Sequence, residues 1–325
     1  MTVRTQAHRV NHPLRKRAAA LLTALLLLAL ASVVSAAEPA WRLDEGADVT
    51  EPRNFRISSD DWHVDPGDEV PSRDGLQSLH ASGSAQFNEK GIASLFSILS
   101  AVAPDASRIY MVDLRQESHG FADGLAVSWY TKKNQGNAGK SDEEAAADET
   151  ERLGDLLGRE TTFLPKGKTD KKRIGAITFA PQRVQTEKEL AEAAGFRYAR
   201  FYVTDKTWPE PETVDAFLDF VSSLPENAWL HFHCRAGHGR TTSFLAIYDM
   251  LKNPGVSSDD VLERQYLLGG TDLTVVNGNE WEAERKAYRL EMLRLFPLFV
   301  SERREKGPSL SWSAWLAELE AAEEE

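Results

Sequence analysis

Short apolar runs alternate with stretches of helical period through most of the chain. Ser107 to Val112 predicts a strand. Thr186 to Ala194 predicts a helix, with acidic residues in its first turn (Glu187, Glu189) and Gly195 as its stop. Phe196 to Val203 predicts a second strand, followed by a helix from Glu212 to Leu224. The apolar run Ala228-Trp229-Leu230-His231-Phe232 predicts a third, with the helical run Thr242 to Tyr248 close behind. Ser257 to Leu268 opens with the capping residues Ser257-Ser258-Asp259-Asp260. Asn279 to Lys306 is a long amphipathic helical stretch, its apolar positions including Tyr288, Leu290, Met292, Leu293, Leu295 and Phe296, and Pro297 is expected to break or kink it. Strand and helix in this succession imply an α/β fold with a central, mostly parallel sheet flanked by helices.

Two regions depart from that rhythm. Ser141 to Leu157 is acidic and alanine-rich, which predicts a solvent-facing helix. Glu160 to Leu164 and Arg173 to Phe179 predict short strands around a lysine-rich turn, Pro165 to Lys172. At the N-terminus, Arg4, Arg9, Arg15, Lys16 and Arg17 precede the apolar segment Ala18 to Val34 and the small residues Ser35-Ala36-Ala37. Residues 1–37 therefore read as a secretory signal peptide, the alternative being an uncleaved membrane anchor. Its loss would remove five positive charges and move the net charge from −12 to −17. A chain so acidic has no general field for nucleic acid, and a polyanionic ligand would need a local basic patch. No stable membrane association is expected after cleavage. The oligomeric state is left open.

Candidate chemistry centres on one run, His233-Cys234-Arg235-Ala236-Gly237-His238-Gly239-Arg240-Thr241, of the form H-C-x5-R-T. Cys234 is the sole cysteine, so an internal disulfide is impossible. It lies between a strand and a helix, where five intervening residues allow one loop whose N–H groups converge. Gly237 and Gly239 permit the backbone angles such a loop needs, and the helix aims its positive end at the same point. Arg240 offers a planar fork for two phosphate oxygens. That field lowers a thiol pKa and favours the nucleophilic thiolate. Thr241 is placed to hydrogen-bond the sulfur, and His233 to fix the loop from behind through backbone contacts. The plainer reading is a buried, inert cysteine in a glycine-containing turn.

The run resembles the signature loop of the cysteine-dependent phosphatases, the protein-tyrosine-phosphatase superfamily. That resemblance implies a general acid on a movable upstream loop. Val203-Thr204-Asp205-Lys206-Thr207-Trp208-Pro209 provides Asp205, which could otherwise be a turn or helix-capping aspartate. The motifs Asp113-Leu114-Arg115-Gln116-Glu117-Ser118-His119-Gly120, Val127-Ser128-Trp129-Tyr130, Thr204-Asp205 with Trp208-Pro209, and His231-Phe232-His233-Cys234 resemble, more closely, the bacterial phosphatase-like phytases. The resemblance runs from about Trp41 to Leu316. It implies one phosphatase domain over 38–325, with a small inserted β-barrel-like subdomain at about 120–183. It implies hydrolysis of inositol hexakisphosphate and lower inositol polyphosphates through a phosphocysteine. The expected catalytic set is Cys234, Arg240, Asp205, Thr241 and His233.

Substrate contacts are expected from Arg235, Ala236, Gly237, His238 and Gly239 of the loop, with Arg235 and His238 adding positive charge. Two residues depart from the family pattern: Lys206 stands where a His follows the acid, and Asn134 where an acidic residue is common. Both are expected beside the substrate ring. Lys168 and Lys171 belong to the densest basic cluster, which reads either as a distal phosphate contact or as a solvated turn. Arg285 and Arg289 share one helix face and either reach the pocket or balance nearby glutamates. The resemblance adds Arg42; without it, Trp41-Arg42-Leu43 reads as an N-terminal strand docking on the core. Arg115 and Glu117 are expected to pair. His231 and His233 share one strand face, but no metal shell completes them, and neither metal nor cofactor is expected. Trp129, Trp312 and Trp315 read as core. The rival function is a secreted protein-tyrosine or phosphoinositide phosphatase, which would use the same chemistry in a different pocket.

Overall fold

A computed structural model describes residues 39–62, 64, 69–165 and 175–322. In chain order its elements are β1 (Ala40–Leu43), β2 (Arg56–Ile57), β3 (Ala81–Ala85), α1 (Glu89–Val102), β4 (Ile109–Asp113), β5 (His119–Ala122), β6 (Leu125–Tyr130), α2 (Asp142–Gly154), β7 (Thr161–Pro165), β8 (Ile177–Phe179), β9 (Val184–Gln185), α3 (Glu187–Ala193), β10 (Arg197–Arg200), α4 (Pro211–Ser223), β11 (Trp229–Cys234), α5 (Gly239–Lys252), α6 (Ser258–Leu267), α7 (Glu280–Lys306) and α8 (Trp312–Ala321). Side-chain caps start several helices: Ser141 and Thr186 form capping boxes with Glu144 and Glu189, and Asn279 caps α7.

The central sheet has the order β10-β4-β11-β3-β2. Its first four strands are parallel, and β2 runs antiparallel at the edge. β11 lies in the middle, in register with β4 on one side (His233 opposite Asp113) and β3 on the other (Cys234 opposite Ala85). All six of its side chains are buried. Their alternation divides them between two layers. Leu230, Phe232 and Cys234 join the core under α5, α7 and α8, with Phe244, Phe296 and Trp312. Trp229 faces the opposite core, with Ile92, Leu95 and Leu190 of α1 and α3. His231 and His233 alternate with Cys234 and so share the Trp229 face.

A second sheet has the order β8-β7-β1-β6-β5-β9. Read without the family resemblance, the N-terminal strand would dock on the core. Instead β1 pairs parallel to β7 and antiparallel to β6, inside the sheet built otherwise from the inserted segment. Trp41 and Leu43 are drawn there by an apolar pocket of their own, with Val127, Leu153 and Phe163. Pro297 does not break α7, which runs unbroken through it. Buried Leu293, Phe296, Phe299 and Val300 hold the helix on both sides of the missing N–H, so packing offsets the lost bond. Among the described residues, no helix is long and apolar enough to cross a membrane.

Candidate active site

β11 ends at Cys234, and α5 starts at Gly239. Three of the four residues between them have their carbonyls held by groups outside the loop. Arg56 Nη1 donates to Gly237 O at 3.0 Å, Asn54 Nδ2 to Ala236 O at 2.8 Å, and Gln86 N to Arg235 O at 3.3 Å. Among the described residues there are no cis peptides, so the N–H of each peptide opposes its carbonyl. The N–H groups of Ala236, Gly237 and His238 therefore point into the cavity. Gly237 is required here twice over. Its φ is +68°, and a Cβ would sit 2.5 Å from Ala85 N.

Cys234 is 3 % exposed. Burial pushes its thiol pKa up, but the Arg240 charge and hydrogen bonds from Thr241 outweigh that, and the net direction is down. Thr241 Oγ1 lies 3.2 Å from the sulfur. Glu117 holds Arg240 through two bonds, at 2.6 and 3.0 Å, and the carbonyls of Val203 and Leu114 take Nη1 at 3.0 and 3.3 Å. The Nε atom of Arg240 is buried without a partner. Across the cavity, Asp205 Oδ1 stands 3.2 Å from Arg240 Nη2.

Glu117 is a structural centre whose reach the sequence only hinted at. It pairs with Arg115 at 2.9 Å as well as with Arg240, and accepts from Asn134 Nδ2 at 3.0 Å. Against the cost of burial, the two arginines hold its carboxyl well below the usual range. Asn134 was expected beside the substrate ring. It is instead buried, and its Nδ2 also lies 3.3 Å from Asp205 Oδ2. An acid at this place would press a third carboxylate against two others, whereas the amide donates to both. It thus ties the acid-bearing loop to the base of the site.

A cavity of about 320 Å³ joins Cys234, Arg240 and Asp205 to Lys206, Arg235, Ala236, His238, Gly239, Lys286 and Arg289. The expected loop contacts are thus gathered, but not all as expected. Arg235 is anchored by Nε to Asp44 at 2.7 Å, a carboxylate shared with Arg115. His238 is held towards its neutral form. Burial, then Arg56 and Arg53, push its pKa below the ordinary value. Arg289 is buried at the cavity wall, its Nη1 2.6 Å from where a Cβ on Gly239 would sit. Its Nε lacks a partner. Burial pulls its pKa down to about 10, with Cys234 opposing. Arg285 is not among the cavity residues and stacks on Trp281, 4.1 Å from the ring centre. Arg42 stacks on Tyr130 at 5.1 Å and is not among the cavity residues. Lys168 and Lys171 lie outside the described residues.

His233 does not reach the loop backbone: its Nδ1 is buried without a hydrogen-bond partner. Strand alternation points it away from Cys234, and Nε2 meets Glu187 Oε1 at 2.5 Å. Glu187 belongs to a buried ionic layer with Asp113, His119, Glu149 and Arg200. Ligand atoms of Asp113, His119 and Glu187 lie within 4.8 Å of one another. Burial and Arg115 push the His119 pKa down, yet Asp113 and Glu149 hold it up at about 10. Arg200, paired with Asp113 and Glu149, completes a buried ion-pair layer beside the site. His231 is separate, between Ser82 and Ser84 at 2.9 and 3.0 Å. Asn54, Arg56 and Glu187 escaped the sequence reading because no spacing ties them to the cysteine loop.

A parallel sheet whose central strand delivers a cysteine into such a loop defines the class of the cysteine-dependent phosphatases. The model of the PTP-like phytases, described by inositol hexakisphosphate, matches residues 112–252. A PTP-like myo-inositol phosphatase from Mitsuokella multacida, solved with myo-inositol-(1,3,4,5)-tetrakisphosphate, superposes with a TM-score of 0.81 and 36% identity, over 91% of this chain and 52% of that one. A PTP-like phytase from Bdellovibrio bacteriovorus superposes with a TM-score of 0.69 and 31% identity, over 89% of this chain and 98% of that one. The effector protein hopD2 of Pseudomonas syringae pv. tomato is 28% identical over 253 residues, 75% of this chain and 53% of that protein. The chain belongs to the family of PTP-like phytases. It spans about half the length of the Mitsuokella and Pseudomonas relatives and nearly all of the Bdellovibrio one.

Proposed function

We propose that the protein is a cysteine-dependent phosphatase that releases phosphates from inositol hexakisphosphate and lower inositol polyphosphates. The observation that carries this reading is the single cavity that gathers Cys234, Arg240 and Asp205 with Lys206, Lys286 and Arg289. One phosphate fits the loop. The other cations suit a ligand that carries several more.

A phosphate entering the loop meets the N–H groups of 236–238 and Arg240, whose unpartnered Nε faces no competitor. It displaces Asp205 from Arg240 Nη2. The Cys234 thiolate attacks phosphorus as the ester P–O bond breaks, and protonated Asp205 gives its proton to the leaving inositol oxygen. The Asp205 carboxylate then takes a proton from water. That water adds to phosphorus, the S–P bond breaks, and orthophosphate leaves with the thiolate restored. Thr241 is placed to stabilise the sulfur as it departs. The basic, apolar N-terminal segment supports export to the periplasm or beyond.

Ion-exchange profiles of inositol phosphates over time test the reading. Stepwise loss from hexakisphosphate is expected, and Cys234→Ser should abolish turnover while retaining binding. Preference for a phosphotyrosyl peptide or a phosphoinositide, with hexakisphosphate untouched, would move the assignment to the rival class.

A further inference from the structure

At the outer rim of the cavity the acid-bearing loop meets the first turn of α7. Lys206, directly after the acid, has a left-handed φ of +68°, which turns its side chain towards that helix. Its ammonium pairs with the Glu282 carboxylate and lies 6.0 Å from the Trp281 ring centre. The other ring contacts of Trp281 are also cationic: Lys133 at 3.8 Å and Arg285 at 4.1 Å. Lys206 and Glu282 are both partly exposed, at 46% and 26%, and both line the cavity.

Glu282 is the one carboxylate of that lining apart from Asp205. Of the other cations in the lining, Lys286 is held by Asn277 Oδ1, and Arg289 is buried with its Nε unpartnered. A polyanionic ligand therefore finds the Arg289 Nε without a partner but Lys206 paired with a carboxylate. A phosphate that reaches Lys206, whether it displaces Glu282 or binds beside it, meets the Glu282 negative charge at close range.

We propose that Glu282 is a specificity-determining residue: it occupies Lys206 in the empty cavity and sets the penalty on each additional phosphate that reaches this rim. The proposal rests on the polyphosphate reading above and deepens it. A single phosphate in the cysteine loop is little affected. A ligand with phosphates on several ring carbons meets the penalty in full, so Glu282 tempers preference for the most highly charged ligand. Screened by solvent, the effect of one such charge is about two- to fivefold in affinity.

Binding measured in a Cys234→Ser background separates the gate from catalysis. Inositol hexakisphosphate and inorganic phosphate are titrated calorimetrically into Cys234→Ser and Cys234→Ser/Glu282→Gln. The second substitution should lower the Kd of hexakisphosphate by about two- to fivefold and leave that of inorganic phosphate nearly unchanged. The difference should shrink in high salt. Equal gains for both ligands, or no gain, overturn the gate. Weaker hexakisphosphate binding also overturns it, since Glu282 would then serve only to clasp the acid-bearing loop. Failure of Cys234→Ser to bind hexakisphosphate at all would sink the substrate reading and the gate with it. Binding with an unchanged ratio would sink the gate alone.

Discussion

Replacing Thr241 with valine removes one hydroxyl and little else. The side chain is fully buried, and valine keeps its shape. What is lost is the 3.2 Å bond from Oγ1 to the Cys234 sulfur. A hydrogen bond to a charged group is worth about 1.5–3 kcal/mol, or roughly ten- to a hundredfold in the thiolate fraction below the midpoint. Arg240 and the Thr241 N–H remain, which favours the lower end of that range. A more basic thiolate is also a better nucleophile, which returns about half of the loss on a logarithmic scale. Alkylation by iodoacetamide should therefore be about three- to tenfold slower than wild type at low pH, and faster than wild type once both thiols are ionised. The assay is the pseudo-first-order inactivation rate across pH, and the crossing of the two curves is its signature. Parallel curves, or a midpoint unchanged by the substitution, would show that the hydroxyl does not stabilise the thiolate.

Three other outcomes are expected. Asp205→Asn should lower kcat by about 10²- to 10⁴-fold on inositol phosphates, and by much less on p-nitrophenyl phosphate, whose leaving group needs no proton; steady-state kinetics on both substrates check this. Gly237→Ala should abolish activity, because its Cβ would meet backbone at 2.5 Å in a left-handed conformation; normal turnover would contradict the loop geometry. The buried ionic layer gives stability a pH window. His233 helps hold the Glu187 carboxyl down to about 2 against burial, so its contribution is present above the ordinary 4.5 and lost as pH falls towards 2. His119, held up at about 10, contributes fully below 6.5 and loses that contribution as pH rises through 10. Tm measured against pH should peak between these limits, and Glu187→Gln should flatten the acid side.

Much of the architecture could be read from periodicity, because a strand–helix alternation leaves few ways to bury its apolar faces. Helix starts were legible for the same local reason: Ser141, Thr186, Ser257 and Asn279 cap their own N–H groups within three residues. The cysteine loop was legible because seven consecutive residues carry most of its chemistry. The placement of β1 was not. Two parallel or antiparallel partners compete for a strand, and the choice depends on residues more than eighty positions away.

Local order along the chain was enough to put the thiol, the guanidinium and the glycines in one loop, and to start a helix behind them. Side-chain partners across the site were settled by packing. Glu117 holds Arg240 over a separation of 123 residues, Asn54 and Arg56 hold loop carbonyls from more than 180 residues away, and strand alternation sends His233 to Glu187 rather than to the loop. Such pairings are chosen by which charges and amides are buried together. That depends on how the sheet and helices dock, and no spacing in the sequence records it.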